Sequence, residues 1–528
     1  MRVAVIGSGI AGLAAAHALV DRGHRRDRDH RAALPSGDVH VTMLEAASRP
    51  GGHVYTVEAH GHAIDMGFIV CNRERYPNFC GLLDELGIAT RPTTMSFSVV
   101  TPQKIRSDSN FTSGKFRSDS NFRAHEWGSA SLDAMFAQRR RILDPRHWRF
   151  LVEVVAFLRR ARRDLERNRG GQTTLEIARD NRSRISRDHL SRTSRDDLSR
   201  GSRDDLSRAA RSGLSSAFDD LSREALDDSL MQASFDESLV GRASLDEYLE
   251  ARRVSREVRD RFVVPLAAAL WSLAPELCGA FPALTYFSFL EQHGMLSPVK
   301  PLRWHTIVGG STRYLDALLT RLRASGRFTL ELSTPVRSIV RDARGVSIKT
   351  DAGEQRFDRA VIATHANSAL GLLAAPSTDE RRVLGAFRYS TNRTVLHTDR
   401  AFLPRREAAH AAWNYVADPD TARVAVTYSM TKLQGLPDAP YLVTLNPRTE
   451  PRGVLHEVTF DHPQLDRVAL AAQHELPQLN GTQRTYYAGA HFGFGFHEDG
   501  MRSGLEAGRA VLADVARDVA PTAIEESA

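Results

Sequence analysis

The chain has 528 residues, 42% of them hydrophobic, which is enough for two closely packed domains. No apolar run approaches the roughly 20 residues that a membrane-spanning helix needs. The net charge of +7 rests on arginine, because Lys104, Lys115, Lys300, Lys349 and Lys432 are the only lysines. Such a surface suits peripheral contact with acidic lipid, or simply a solvated face. Cys71, Cys80 and Cys278 are odd in number and spaced for neither a metal site nor a disulfide framework. A reducing, cytoplasmic location without a bound metal is expected. Met1 leads straight into a strand, so no cleavable leader is expected.

The strand Arg2-Val-Ala-Val-Ile6 runs into Gly7-Ser8-Gly9-Ile10-Ala11-Gly12 and an alanine-rich helix. Strand, glycine turn and helix without a gap form the opening of a dinucleotide-binding βαβ unit. Gly7 permits the turn, Gly9 lets the backbone approach a pyrophosphate, and Gly12 lets the helix pack on the strand. The helix N-terminus turns its unpaired N–H groups on the phosphates. A second strand, residues 39–44, ends in Glu45, placed to accept hydrogen bonds from ribose hydroxyls. The polar segment 24–38 lengthens the intervening loop at little entropic cost.

Glu45-Ala46-Ala-Ser-Arg49-Pro-Gly51-Gly52-His53 resembles the E-x3-R-x-G-G signature of flavin-containing amine oxidases, phytoene desaturases and their relatives. The resemblance implies FAD. It also implies that the glycine doublet passes the flavin and phosphates, with arginine neutralising pyrophosphate charge. Most relatives carry arginine after the doublet, where this chain has His53.

A hairpin through Gly61 is followed by Asp65-Met-Gly67-Phe68 and a helix closing at Gly87. In flavin oxidases of this type that turn passes the isoalloxazine, which makes Gly67 and Phe68 flavin neighbours. The hexapeptide Arg106-Ser-Asp-Ser-Asn-Phe111 recurs at 117–122, inside an expected surface insertion over 101–125. A second insertion, 180–239, repeats a Ser-Arg-Asp-Asp-Leu-Ser-Arg unit every eight residues. One leucine per unit cannot build a core, and disorder is expected. Its aspartates cancel its arginines and no aromatics interleave, so no nucleic acid is expected to bind.

Residues 132–158 read as one helix with a strong apolar face. Ser244-Leu-Asp-Glu247 reads as a capping box, and the aromatic run 281–290 reads as core or as the lining of a substrate cap. Val308-Gly-Gly-Ser-Thr312 opens a further helix, and strands follow near 328–332, 336–340 and 357–363. Four more strands between 393 and 445 are expected to supply a mixed sheet. The superfamily strand similar to Thr334-Pro-Val336 offers its backbone to the adenine. The chain closes with Gly489-Ala-His491, an aromatic–glycine loop, His497-Glu-Asp499-Gly500-Met501 and a helix over 502–515. The N–H groups near Gly500 and Met501 are the candidates to stabilise a reduced flavin.

Asp65-Met-Gly-Phe-Ile-Val70, Tyr76-Pro-Asn-Phe79, Met95-Ser-Phe-Ser98, Phe136-Ala-Gln-Arg-Arg140 and Phe494-Gly-Phe-His-Glu-Asp-Gly500 narrow the resemblance. They look like predicted NAD/FAD-binding oxidoreductases similar to the flavoprotein domain in front of plant cyclopropane fatty acid synthases. The fold class implied is α/β, a glutathione-reductase-type FAD-binding Rossmann domain interleaved with an α+β substrate domain of mixed sheet and helical cap. The FAD domain is expected in three parts (1–100, 306–368, 481–516) and the substrate domain in three (126–179, 240–305, 369–480), with a flexible tail at 517–528.

The amine oxidases carry a lysine on the strand similar to Tyr389-Ser-Thr-Asn-Arg393, and this chain has none there. Hydride transfer from a C–H needs no lysine, but desaturation needs a base. His365, His397, His491 and His497 are candidates, with His491 and His497 favoured as catalytic. The function expected is hydride transfer from a hydrophobic, modified fatty acyl substrate to FAD, with oxygen or a reductase as electron acceptor. The alternatives are a flavin amine oxidase and a non-catalytic flavoprotein partner of a lipid methyltransferase; an NAD-only dehydrogenase is disfavoured.

Overall fold

The computed structural model describes residues 1–20, 39–102, 124–180, 239–271, 275–296, 302–417, 424–437 and 439–519. The 24–38 loop, both sets of repeats and residues 520–528 lie outside the described residues. The chain forms two compact units. One comprises Met1–Ala137, Pro265–Glu276 and Leu302–Ala528, the other Gln138–Val264 and Leu277–Pro301. Among the described residues no helix is long and apolar enough to cross a membrane.

The first unit is built on a five-stranded parallel sheet. Its order is Phe328–Glu331, His40–Leu44, Arg2–Ile6, Arg359–Ile362 and Thr485–Tyr487. Val3, Ala4 and Val5 are wholly buried, as a strand covered on both faces requires. The helix Ile10–Val20 is apolar on nearly every side, with Leu13 through Ala16 at 0% exposure. It can be buried all round because the closing helix His497–Val519 lies directly on it. Gly500, Gly504 and Gly508 form the seam. A Cβ on Gly500 would lie 2.7 Å from Ile10, one on Gly504 would collide with the Ala11 carbonyl, and one on Gly508 would meet Ala18 at 2.8 Å. These contacts advance along both helices together, so the two run in the same direction with their N-termini at one end.

A three-stranded antiparallel sheet, Val336–Asp342, Gly345–Thr350 and Gly353–Phe357, leads back into the parallel sheet. The unit also holds a two-stranded hairpin, Thr56–Ala59 with His62–Asp65, a small sheet of Val70–Cys71, Trp304–Ile307 and Thr90–Thr93, and a mixed seven-stranded sheet. The seven-stranded sheet runs in the order Val454–Gln464, Arg388–His397, Leu442–Leu445, Val424–Ser429, Trp413–Ala417, Phe97–Pro102 and Ala124–Gly128.

The second unit is helical. Pro145–Asp180 buries Phe150, Val154, Phe157 and Leu158, and Phe157 and Tyr248 pack on Phe287. The Ser244–Glu247 capping box forms with both reciprocal bonds. The aromatic run is core, with Tyr286 and Phe287 fully buried.

Two expectations change. The helix over 132–158 is interrupted: Leu132–Met135 stops, Arg139–Leu143 is a 3-10 turn, and a new helix starts at Pro145. Proline lacks the N–H that an uninterrupted helix would need there, but is well suited to a first helical position. The closing helix runs on to Val519, into the segment expected as a flexible tail.

Gly504→Ala is expected to force the two parallel helices apart and to lower unfolding stability by about 1–3 kcal/mol in urea denaturation. Gly371→Ala, where a Cβ meets nothing within 4 Å, is the control and is expected to be neutral or stabilising.

Candidate functional site

The site starts at Ser8, which is fully buried between the first strand and the first helix. Its N–H and Oγ–H both donate to Glu45 Oε2, at 2.8 and 2.6 Å. Its Oγ also accepts from the Gly51 N–H at 3.1 Å, and its carbonyl accepts from the same group at 3.2 Å. One serine thus joins the glycine turn, the acidic strand end and the glycine doublet. Glu45 Oε1 accepts from the Ala47 N–H at 2.8 Å, so the carboxylate shapes the turn at both oxygens.

Arg49 faces its own loop. Its guanidinium donates to the carbonyls of Gly52 (2.9 Å) and Val54 (3.2 Å) and stacks on Tyr55, 3.8 Å from the ring centroid. Burial lowers its pKa, and the nearby Tyr55 and Glu45 oppose that shift. Gly52 has φ +57°, and a side chain there would come within 3.2 Å of the Gly9 Cα. Gly52 is solvent-exposed and Ala46 is too, whereas Gly12 packs against the Gly7 carbonyl with no room for a Cβ. Around the missing Cβ of Gly9 there is nothing within 4 Å.

The backbone of Glu45–Ala47 is paired by the Ser333 and Thr334 N–H groups (2.9 and 2.8 Å), which brings Val336 to the same end of the sheet. Val336 sits at a register shift in its strand. Beyond the doublet, Gly67 packs on the His53 carbonyl, which accepts from the Phe68 N–H at 3.0 Å. Phe68 stacks on His497, with ring centroids 3.9 Å apart.

Three carboxylates, Asp65 buried and Glu498 and Asp499 half-buried, hold these segments together. Asp65 accepts from Thr56 Oγ1 and from both the N–H and Oγ of Ser311, while its second oxygen accepts from Gln434. Burial pushes its pKa up to about 6 against those bonds. Asp499 accepts from the N–H groups of Phe494 and Phe496 at 2.9 and 3.0 Å; burial also raises it to about 6. Glu498 accepts from the N–H groups of Asn78 and Phe79, capping the helix Pro77–Glu85 from the far end of the chain.

The closing loop differs from expectation. The helix begins at His497, so the Gly500 N–H already donates to the Phe496 carbonyl at 3.1 Å and is no longer available to a ligand. Met501 is buried, and Asp499 turns into its own loop. The first-turn donors at 497–499 are the ones helix geometry leaves without an intrahelical partner. Gly489 is held by Ser503 Oγ and packs on the His491 ring.

The histidines part company. His397 is fully buried: its Nδ1 accepts from the Asp399 N–H and its Nε2 bonds Thr444 Oγ1, so it belongs to the sheet. His491 is buried against Phe387 and burial drops it to about 3. His497 bonds the Tyr314 hydroxyl at 2.8 Å and is likewise held at about 3 by burial. His365 stacks on Tyr389, 4.3 Å between centroids.

A cluster not evident in the sequence forms around His53. Its ring stacks on Phe460 at 4.8 Å, with His462 at 5.7 Å and His365 at 6.3 Å. Burial, reinforced by those two histidines, lowers His53 to about 3; burial holds His462 at about 4 and lowers His365 too. Among the described residues no group of His, Cys, Asp or Glu is arranged to hold a metal.

These residues fit FAD. Two helix N-termini lie side by side at one end of the parallel sheet, their partial positive charges adding. The open space over Gly9, the exposed face of Gly52 and the spare acceptor capacity of Glu45 Oε1 lie around that end. Such a strand–turn–helix site with its glycine doublet defines a FAD-dependent oxidoreductase. The profile of the flavin containing amine oxidoreductase family matches residues 10–437, and the chain belongs to that family.

Among solved structures, cyclohexylamine oxidase from Brevibacterium oxydans IH-35A is similar in fold (TM-score 0.58, 16% identity, 97% of this chain and 99% of that one). So are a CLA-producing fatty acid isomerase from P. acnes (0.53, 14%, 96% and 97%) and a putrescine oxidase (0.53, 14%, 97% and 99%). No curated protein sequence matches the chain. The family match carries the superfamily, the structural similarities carry the fold, and neither carries the narrower likeness to the flavoprotein domain of cyclopropane fatty acid synthases.

Glu45→Ala is expected to weaken FAD binding roughly ten- to hundredfold, since bonds to a charged acceptor contribute about 1.5–3 kcal/mol; a flavin-fluorescence titration measures it. Asp65 gives a pH dependence. Its folded value of about 6 lies above the unfolded one, so the folded chain keeps a proton that the unfolded chain has released. That contribution, of order 3 kcal/mol, is fully present below about pH 4 and is lost as pH rises through about 6. In Asp65→Asn, the stability–pH profile measured by denaturation is expected to be flatter across that window.

Proposed function

We propose that the chain oxidises a hydrophobic, modified fatty acyl substrate. When bound, FAD supplies the hydride acceptor. The observation that carries this reading is the character of the wall beside the glycine doublet. His53, Phe460, His462, His365 and Tyr389 form a face whose histidines are uncharged at neutral pH. Phe460 continues into an apolar cluster of Ile64, Met66, Leu396, Tyr441 and Val443, lined by partly buried Tyr55, Ile69, Met95 and Trp413. The lysines of the described residues, Lys349 and Lys432, are both exposed. A carbon-rich, neutral wall suits an acyl chain better than an ammonium ion, whose desolvation it cannot offset.

The parallel sheet with its antiparallel three-stranded connection supports a glutathione-reductase-type arrangement of the FAD domain. The fold itself does not choose the substrate, since similar structures include both amine oxidases and a fatty acid isomerase. Amine oxidation is the second reading, favoured by the family and by Asp461. That carboxylate is partly exposed, accepts from Thr391 Oγ1 at 2.7 Å and influences both His365 and His462.

Holoprotein mixed anaerobically with a cyclopropane or methyl-branched fatty acyl lipid is expected to lose its visible flavin absorbance, and with cyclohexylamine to retain it. Bleaching by the amine alone would hand the site to amine oxidation.

A further inference from the structure

We infer that His53 is the proton acceptor of this site, its Nε2 taking the proton that the substrate releases as the bound cofactor receives the hydride. The inference rests on FAD binding beside the glycine doublet and is independent of which substrate is oxidised.

Geometry places the group. His53 follows Gly52, whose backbone lies against Gly9, and its carbonyl holds Phe68, which stacks on His497 at the start of the closing helix. Three cofactor-facing segments therefore meet at this residue. The main chain of Asp461 lies beside the ring, and Nε2 is buried and has no partner among the described residues. Neutral imidazole carries one N–H and one basic lone pair. In the tautomer protonated on Nδ1, which the nearby Asp461 main chain favours, the lone pair sits on Nε2. A buried acceptor left unpaired costs about 1–3 kcal/mol, and a proton or a donor from a ligand relieves that cost.

His462 is set differently. Asn392 Nδ2 lies 2.9 Å from its Nδ1 and also donates to the Ser390 carbonyl, so His462 Nδ1 is an acceptor already filled. His365 stacks on Tyr389, and the Tyr389 hydroxyl accepts from the Ala366 N–H. Of the three rings, only His53 presents a buried basic nitrogen with no partner among the described residues.

Electrostatics gives the timing. His462 and Asp461 face His53 from the strand Val454–Gln464, His365 from beyond Arg359–Ile362, His497 from the closing helix and Arg49 from its own loop. Burial above all, then the neighbouring histidines and Arg49, disfavour a positive charge on His53 while the cofactor is oxidised. A negative charge gained by the cofactor on reduction acts in the opposite sense and favours imidazolium. In the reaction, one substrate C–H bond breaks with its electron pair going to the cofactor. The adjacent C–H or N–H bond breaks with its pair forming the new double bond, and its proton goes to Nε2.

The test is a redox titration of holoprotein with a chemical reductant over a range of pH, which needs no substrate. In the unmodified chain, reduction is expected to take up one proton more than in His53→Gln in the window of about pH 4–6, since an opposite charge raises a pKa by roughly 1–3 units from the oxidised-state value of about 3, seen as a steeper dependence of midpoint potential on pH. His462→Gln is expected to retain the steeper dependence. Equal slopes in the unmodified chain and His53→Gln would overturn the inference, and so would an equal loss in His462→Gln. If His53→Gln fails to hold flavin, the unmodified holoprotein still decides. Its midpoint potential should steepen by one proton as pH falls from about 7 to about 4 while the reduced flavin keeps its anionic spectrum, and an unchanged slope overturns the inference. A protein that shows the extra proton but bleaches with neither lipid nor amine would leave this assignment standing while refuting the proposed substrate.

Discussion

A buried serine can keep its place only if each of its polar groups finds a partner, and at Ser8 those partners belong to different segments. Glu45 accepts its two donors, and Gly51 donates to its oxygens. Leaving any of these groups unpaired inside the protein would cost about as much as one hydrogen bond contributes or more. The glycine turn, the second strand and the doublet must therefore come together or not at all. Arg49 then fixes the far side of the doublet loop by donating to its carbonyls. The nucleotide end of the site is pre-shaped before any ligand arrives.

Carboxylates act as rivets elsewhere around the site. Asp65 ties a hairpin, the glycine turn before the helix Thr312–Ala324 and Gln434 into one node. Glu498 and Asp499 are neighbours with divided duties, one capping the helix Pro77–Glu85 and the other folding the loop that precedes its own helix. Each is at least half-buried at an energetic cost, and in each case main-chain N–H groups offset part of that cost. The histidines show the opposite solution. Burial outweighs what carboxylates lie near them, they remain neutral, and the site presents imidazole lone pairs instead of fixed charge.

Features written in local sequence were legible. The strand–turn–helix at Gly7–Gly12, the hairpin at Gly61 and the Ser244 capping box each depend on residues only a few positions apart, and the structure contains all of them. FAD followed from the glycine doublet in its context. Features assembled from distant segments were not legible. His53, His365 and His462 converge from three separate elements, and Glu498 reaches Asn78 across 420 positions. No spacing rule encodes such encounters. The closing motif lay between these cases: its loop and helix could be read, but the helix starts earlier than expected, which shifts the available donors from Gly500 to residues 497–499. Pro145 was visible in the sequence, and the apolar periodicity on either side of it concealed the break.

The glycine seam between the first and last helices has a consequence for biosynthesis. The helix Ile10–Val20 leaves the ribosome long before its partner helix, with apolar groups on nearly every side. The surface that covers it, Gly500 to Gly508, is made only after everything that lies between them. Throughout translation the nascent chain exposes a greasy segment with no partner, a state prone to aggregation and dependent on chaperones. The parallel sheet is equally delayed, because its edge strand Thr485–Tyr487 also comes late. A prematurely terminated chain would carry the complete glycine fingerprint and still be unable to build the cofactor site, so any fragment lacking the closing helix should be a target for degradation rather than a partial enzyme.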